Sequence, residues 1–156
     1  MLEKLFRLDN KVIVITGATG LLGAKHAEAV ACYGGTPILL DLNKKSLEAL
    51  ANKLNKKYNT NAEGFVVDIA NEISIKKNAK LLMQKFEKID GLVNNAANNP
   101  KVENNNELNF SRLENFPISV WNDDLNVSLT GSYLCSKIYG YEISKNSSGG
   151  SIVNIS

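Results

Sequence analysis

Cysteine, histidine and tryptophan are scarce in this chain, at two, one and one among 156 residues. Cys32 and Cys135 lack metal-type spacing, and a lone His26 cannot complete a zinc centre. No metal site is expected, and all three residues are read as structural or merely tolerated. No charge of one sign prevails either, since the formal net charge is +2. The lysine pairs Lys44-Lys45, Lys56-Lys57 and Lys76-Lys77 are spread along the chain. Binding a phosphate backbone needs a clustered basic footprint, so no nucleic-acid partner is expected. Long apolar runs are missing too: none approaches the ~18 residues of a membrane span. The opening MLEKLFRLDN has no apolar core of a signal peptide. The expected setting is cytoplasmic, without a membrane partner, and there the sequons at Asn109, Asn126, Asn146 and Asn154 stay bare.

What is present is an ordinary globular composition, 44% apolar and 22% charged, in a length that suits one domain with a real core. Lys11 to Thr16 (KVIVIT) is a β-branched apolar run and predicts a buried strand. A glycine-punctuated turn, Gly17 to Gly23, leads into a helix from Leu22 to about Tyr33, stopped at Gly34-Gly35. Thr36 to Asp41 is a second strand. Leu47, Leu50, Ala51, Leu54 and Tyr58 recur at helical spacing across Ser46 to Tyr58. Glu63 to Asp68 is a third strand, followed by a helix with Ile75, Ala79, Leu82 and Phe86 on one stripe. Asp90 to Asn94 is a fourth strand. The Asn-rich stretch after it has no periodicity and reads as a loop. One long helix from about Ser119 to Lys145 and a last strand, Ser151 to Ser156, complete the alternation. Strands alternating with helices predict an α/β fold with a doubly wound parallel sheet.

The strongest local signal is VITGATGLLG, with glycines at 17, 20 and 23 between a strand and a helix. Glycines there let the backbone turn tightly and approach a pyrophosphate, which then faces the helix N-terminal N–H groups. Asp41 ends the second strand. A carboxylate at that place accepts the hydroxyl protons of an adenosine ribose and repels a 2′-phosphate, so it argues for NAD over NADP. Capping the next turn is the alternative role for Asp41. Asp68, on the same sheet edge, is either an adenine-side contact or a turn residue.

Taken together, TGATGLLG at 16–23, Asp41, VVDIAN at 66–71, LVNNAA at 92–97, VWNDDLNVSLTG at 120–131 and the closing GGSIVNIS resemble the short-chain dehydrogenase/reductase family. The resemblance covers nearly the whole chain, and the Asn-Asn-Ala stretch is its most discriminating piece. It implies a Rossmann-like sheet of strand order 3-2-1-4-5, incomplete at the C-terminal side, forming one dinucleotide-binding domain over 1–156. It further implies hydride transfer between the nicotinamide of NAD, less so NADP, and a small-molecule carbonyl or secondary alcohol, by a protein that is a homo-oligomer at full length. The cofactor contacts it implies are Gly17, Gly20, Leu22, Gly23, Asp41, Asp68, Ile69, Asn95 and Ala96.

Three departures from the family pattern stand out. The glycine spacing resembles an extended branch that includes sugar-nucleotide epimerases and dehydratases, with Leu21 where the other branch has glycine. Ser128 stands at the place of the family's catalytic asparagine, in VSLTG. Asn126 lies two residues away, about 200° around a helix. A serine can hold a water but cannot supply both an amide donor and a carbonyl acceptor. The stretch between Asn95 and Ser128 is also longer than the family pattern, which raises a substrate-side flap over residues 98–116 beside the alternative of a surface insertion.

Hydride chemistry of this kind needs a tyrosine whose proton moves, with a lysine four residues on. Tyr133/Lys137 and Tyr141/Lys145 have that spacing but precede the last strand, on a helix whose C-terminal end lies at the sheet's opposite rim. They are read as surface and packing residues. By the resemblance, the family's Ser, Tyr and Lys follow Ser156, so the chain is expected to be a fragment, inactive alone and prone to associate through its last strand. Two alternatives stay open at this point: a non-catalytic dinucleotide-binding module, and a nucleotide-sugar epimerase or dehydratase.

Overall fold

The computed structural model describes residues 6–98 and 113–156. Five parallel strands form one sheet, β1 (Val12–Thr16), β2 (Thr36–Asp41), β3 (Glu63–Val66), β4 (Gly91–Asn94) and β5 (Ser151–Asn154), in the order β3-β2-β1-β4-β5. The order reverses between β1 and β4, which pair on the side of β1 away from β2. That reversal opens a crevice at the carboxyl ends of these strands. The expected fold class and strand order are those observed.

Side-chain alternation along each strand divides the core in two. Val12, Val14, Ile38, Leu40 and Leu92 face one layer. Ile15 and Leu39 face the other. Both faces are covered, so β1 and β2 read as continuous apolar runs instead of alternating ones. Two helices cover the second face, α1 (Leu21–Cys32) and α2 (Lys44–Tyr58), through Ala27, Val30, Leu47, Ala51 and Leu54. The first face is covered by α3 (Glu72–Phe86), through Ile75, Ala79 and Leu82, and by α5 (Ser132–Ser144), through Cys135, Tyr139 and Ile143. The valine, leucine and isoleucine side chains among these each contribute ~1.5–3 kcal/mol by leaving water. Tyr139 is fully buried and donates its hydroxyl to Asn78 Oδ1 at 2.8 Å, tying α5 to α3. Burial pushes the Tyr139 phenol well above its ordinary range and the Cys135 thiol up to about 12.

The long helix expected over 119–145 is three pieces. α4 (Ile118–Leu125) runs into a π-helical turn, Asn126–Gly131, and then into α5. Val127, Ser128 and Thr130 are weak helix formers, and the wider turn shifts the phase of every side chain around it. Strands three and five are shorter than expected, stopping at Val66 and Asn154. The proposed flap falls largely on residues outside the described ones. Among the described residues, no helix is long and apolar enough to cross a membrane, and no group of three metal-ligating side chains occurs.

Candidate functional site

At the carboxyl edge of β1, β2 and β4 lies a cleft of about 530 Å³, lined among others by Gly17, Gly20, Gly23, Asp41, Asp68, Ile69, Asn95 and Ala96. All nine residues expected to contact a cofactor line this one cleft. Its size falls in the range of small-molecule sites. A larger groove of about 740 Å³ runs between α3 and α5, but it lies on the outer helical surface, away from the strand ends.

The glycine loop is shaped by close approach. Gly17 has φ +60°, and a Cβ there would meet Ala96 Cα at 2.8 Å. A Cβ on Gly23 would collide with the Gly17 carbonyl oxygen and stand 2.9 Å from Asn95 Nδ2. The loop turns under the Asn-Asn-Ala stretch, and only glycine fits both places. Asn95 fastens the two, donating from Nδ2 to the carbonyls of Thr16 (3.0 Å) and Gly17 (3.1 Å). Thr16, almost fully buried, accepts at Oγ1 from the amides of Asn95 and Ala96, each at 3.0 Å.

Helix α1 begins at this loop with Gly20 as N-cap, no side-chain cap and no acidic residue in its first turn. The neighbouring α2 and α3 are each closed by an asparagine, Asn43 and Asn71, whose side chains accept from first-turn amides. The α1 end therefore keeps its amide donors and positive dipole end turned toward the cleft. Leu21, in place of the second family glycine, is 86% exposed and strains nothing.

Asp41 stands at the mouth of the cleft. Its Oδ2 accepts from the Thr19 amide at 3.0 Å and the Thr19 hydroxyl at 2.7 Å, and its Oδ1 from the Leu42 amide at 2.8 Å. Asp68 is exposed and accepts from the Ala70 amide at 2.9 Å, so a turn role coexists with its place in the cleft. Asn94, 3% exposed, donates from Nδ2 to Asn154 Oδ1 (2.8 Å) and Ser136 Oγ (2.9 Å), joining β4, β5 and α5.

Ser128 lies in the π-helical turn and is exposed; its neighbour Val127 lines the cleft. The π turn lowers the angle per residue below 100°, but two residues apart still lie on different sides of the axis, so Ser128 and Asn126 stay separated. Tyr133 and Tyr141 are more than half exposed. Lys137 pairs with Glu72 at 3.0 Å, and Lys145 pairs with Glu142 and lies 4.1 Å over the Tyr141 ring. Neither Tyr/Lys pair lines the cleft. The sequence reading missed Thr16, Thr19 and Val127. Thr16 and Thr19 had a signal, short hydroxyl side chains bracketing the first glycine; Val127 had none.

A family model described as short chain dehydrogenase matches residues 11–156. The chain is 32% identical over 150 residues to a D-threitol dehydrogenase of Mycolicibacterium smegmatis, covering 96% of this chain and 54% of that protein. Among solved structures, NAD+-bound xylitol dehydrogenase superposes with a TM-score of 0.81 at 24% identity, covering 94% of this chain and 53% of that one. A metagenomic short-chain oxidoreductase in complex with NADP gives 0.81 at 23% identity, covering 96% and 63%. These two likenesses speak to the fold. The chain spans about half the length of the curated relatives it matches.

Proposed function

The chain belongs to the short chain dehydrogenase family, and on that footing we propose that residues 1–156 form the NAD-binding domain of an oxidoreductase acting on a secondary alcohol or its carbonyl. The observation that carries the reading is the convergence of the glycine loop, the uncapped α1 end, Asp41 and the Asn95–Ala96 stretch on one cleft. The backbone fits the group: Gly17 and Gly23 leave room that a Cβ would fill, and the α1 amides suit a pyrophosphate. Asp41 holds the adenosine ribose, Asp68, Ile69 and Val127 wall the adenine side, and Asn95 and Ala96 flank the path toward the nicotinamide. The bound dinucleotide supplies or takes the hydride. Ser128 holds a water at the rim near the π-helical turn. Of the alternatives, the nucleotide-sugar epimerase or dehydratase rests only on the glycine spacing, and no observation favours a non-catalytic dinucleotide-binding module over the oxidoreductase reading.

The threitol dehydrogenase relative makes a short polyol the first substrate to test. A cytoplasmic setting suits the free thiols of Cys32 and Cys135. Homo-oligomerisation suits the exposed stripe Trp121, Leu125, Leu129 and Tyr133 along α4, the π turn and α5. Calorimetric titration with NAD and NADP tests the cofactor reading. NAD is expected to bind at least about tenfold more tightly, because a second anion beside Asp41 is repelled; tighter NADP binding overturns it. Turnover of threitol by the 156-residue polypeptide would contradict the expectation that these residues bind cofactor without moving the proton.

A further inference from the structure

The larger cavity, the groove between α3 and α5, has no part in the dinucleotide reading. Its floor is apolar. Ala79 and Met83 come from α3, one turn apart, and Ile138 comes from α5; all three belong to or pack against the first of the two core layers. The Tyr139–Asn78 hydrogen bond holds the two helices together beneath them. Its walls carry unbalanced charge. Lys76 and Lys80 line the groove one helical turn apart on α3, and Lys137 lines it from α5. Lys76 and Lys137 share a single carboxylate oxygen, Glu72 Oε1, at 3.0 Å each. Lys80 has no ion pair among the described residues. Three ammonium groups thus face one carboxylate, and the other acid on the wall, Glu142, is taken by Lys145 at 2.7 Å.

We propose that this groove is a second binding site, for an amphipathic carboxylate: an alkyl chain of medium length that ends in a free carboxyl group. The carboxylate accepts from Lys80 and from spare N–H donors of Lys76 and Lys137, since each ammonium carries three. The chain lies along Ala79, Met83 and Ile138 and gains by leaving water. Methionine suits such a wall, because its unbranched thioether adapts to the shape laid against it. The groove's volume, about 740 Å³, falls in the range of small-molecule sites. A neutral hydrocarbon would leave the excess positive charge uncompensated, and a small free anion would leave the apolar floor in water. Only an occupant with both parts answers both halves of the groove. The site is separate from the dinucleotide cleft, and the proposal does not depend on what that cleft binds.

A second copy of the chain is the competing occupant, since the groove residue Tyr141 lies two turns beyond the equally exposed Tyr133 on α5. Titrations of the isotope-labelled protein with decanoate, decanol and butyrate, followed by backbone NMR, separate the two. Decanoate is expected to bind with a dissociation constant below about 1 mM and to shift amides of α3 and α5, not those of the glycine loop. Decanol has the chain without the charge, and butyrate the charge with little chain; each should bind at least about tenfold more weakly. Lys80→Glu should weaken decanoate about tenfold while decanol binding and thermal melting stay as in wild type. Lys80→Arg should keep decanoate affinity within about threefold of wild type. Equal affinity for decanoate and decanol, no effect of Lys80→Glu, or shifts centred on the glycine loop each overturn the proposal. So does a wild-type protein that binds no decanoate at about 1 mM. If α3 and α5 signals change instead with protein concentration, and sedimentation finds a dimer that decanoate leaves intact, a second copy covers the groove and the proposal falls.

Discussion

Three βα units stand side by side in this sheet, and the first differs from the other two at one place. Units two and three close their helices with asparagine side chains, Asn43 accepting from Ser46 and Asn71 from Ile73 and Ser74. Unit one ends its strand in a glycine turn and leaves α1 with no side-chain cap. An N-cap side chain contributes ~1 kcal/mol. Its omission in one unit of three, beside a carboxylate and under a bound asparagine, marks where the chain holds donors in reserve. On the function proposed above, stability and ligand binding are divided between neighbouring copies of the same motif.

The harshest way to break the contrast is Gly23→Val. Its Cβ would collide with the Gly17 carbonyl and crowd Asn95, and the loop cannot yield without losing the Thr16–Asn95 ties. We expect a loss of at least ~3 kcal/mol, or about 10 °C in thermal melting, together with loss of NAD binding. Gly20→Asp makes unit one resemble the other two. Gly20 has φ −71° and ψ 173°, an extended geometry that aspartate adopts readily. Stability should stay within ~1 kcal/mol of wild type while NAD affinity falls about 100-fold, because the new carboxylate faces the pyrophosphate position. Unchanged affinity in a calorimetric titration would mean that the open helix end binds nothing.

A control comes from the opposite rim, where no ligand is expected. Asp90 is 3% exposed in its side chain, accepts from the Val12 amide and pairs with Lys11 and Lys88. Burial alone would raise its carboxyl pKa; the Val12 N–H and the two lysines outweigh that and hold it below the ordinary carboxylate range. With the folded value below the unfolded one, its contribution is complete above about pH 5 and is lost as pH falls through the folded value. Asp90→Asn should cost ~1–2 kcal/mol at pH 7, discounted for the part-exposed lysines, and the difference from wild type should shrink in acid. A pH-independent difference in denaturant midpoint would rule out the charge as its source. The smallest effect is Asn71→Ala, about 1 kcal/mol of stability with NAD affinity untouched. A matching loss of NAD affinity would blur the division of labour between the units.

Much of the site could be read before any coordinates. The nine expected cofactor contacts converge on one cleft because each lies at the carboxyl end of a strand, in the turn just after one or in the first turn of the helix that follows, and a parallel sheet brings those ends to one edge. Val127 was hidden, since its place depends on a π turn that helical periodicity does not foresee. Strand burial shows a similar limit. VIVIT in β1 and SIVN in β5 look alike as apolar runs, yet β1 is buried in the sheet centre and every residue of β5 is exposed.

Element types, their order and the glycine loop were determined by the sequence itself, because periodicity, turn chemistry and capping act over a few neighbouring residues. Only the tertiary structure decided which partners the polar side chains take. Thr19 meets Asp41 across 22 residues and Thr16 meets Asn95 across 79, through the parallel register that sets Thr16 beside Leu40 and Ile15 beside Val93. A shift of that register by one residue would turn each strand's side chains to the other face and dissolve both contacts. The chemistry of this cleft depends on that alignment, which no local stretch of the chain encodes.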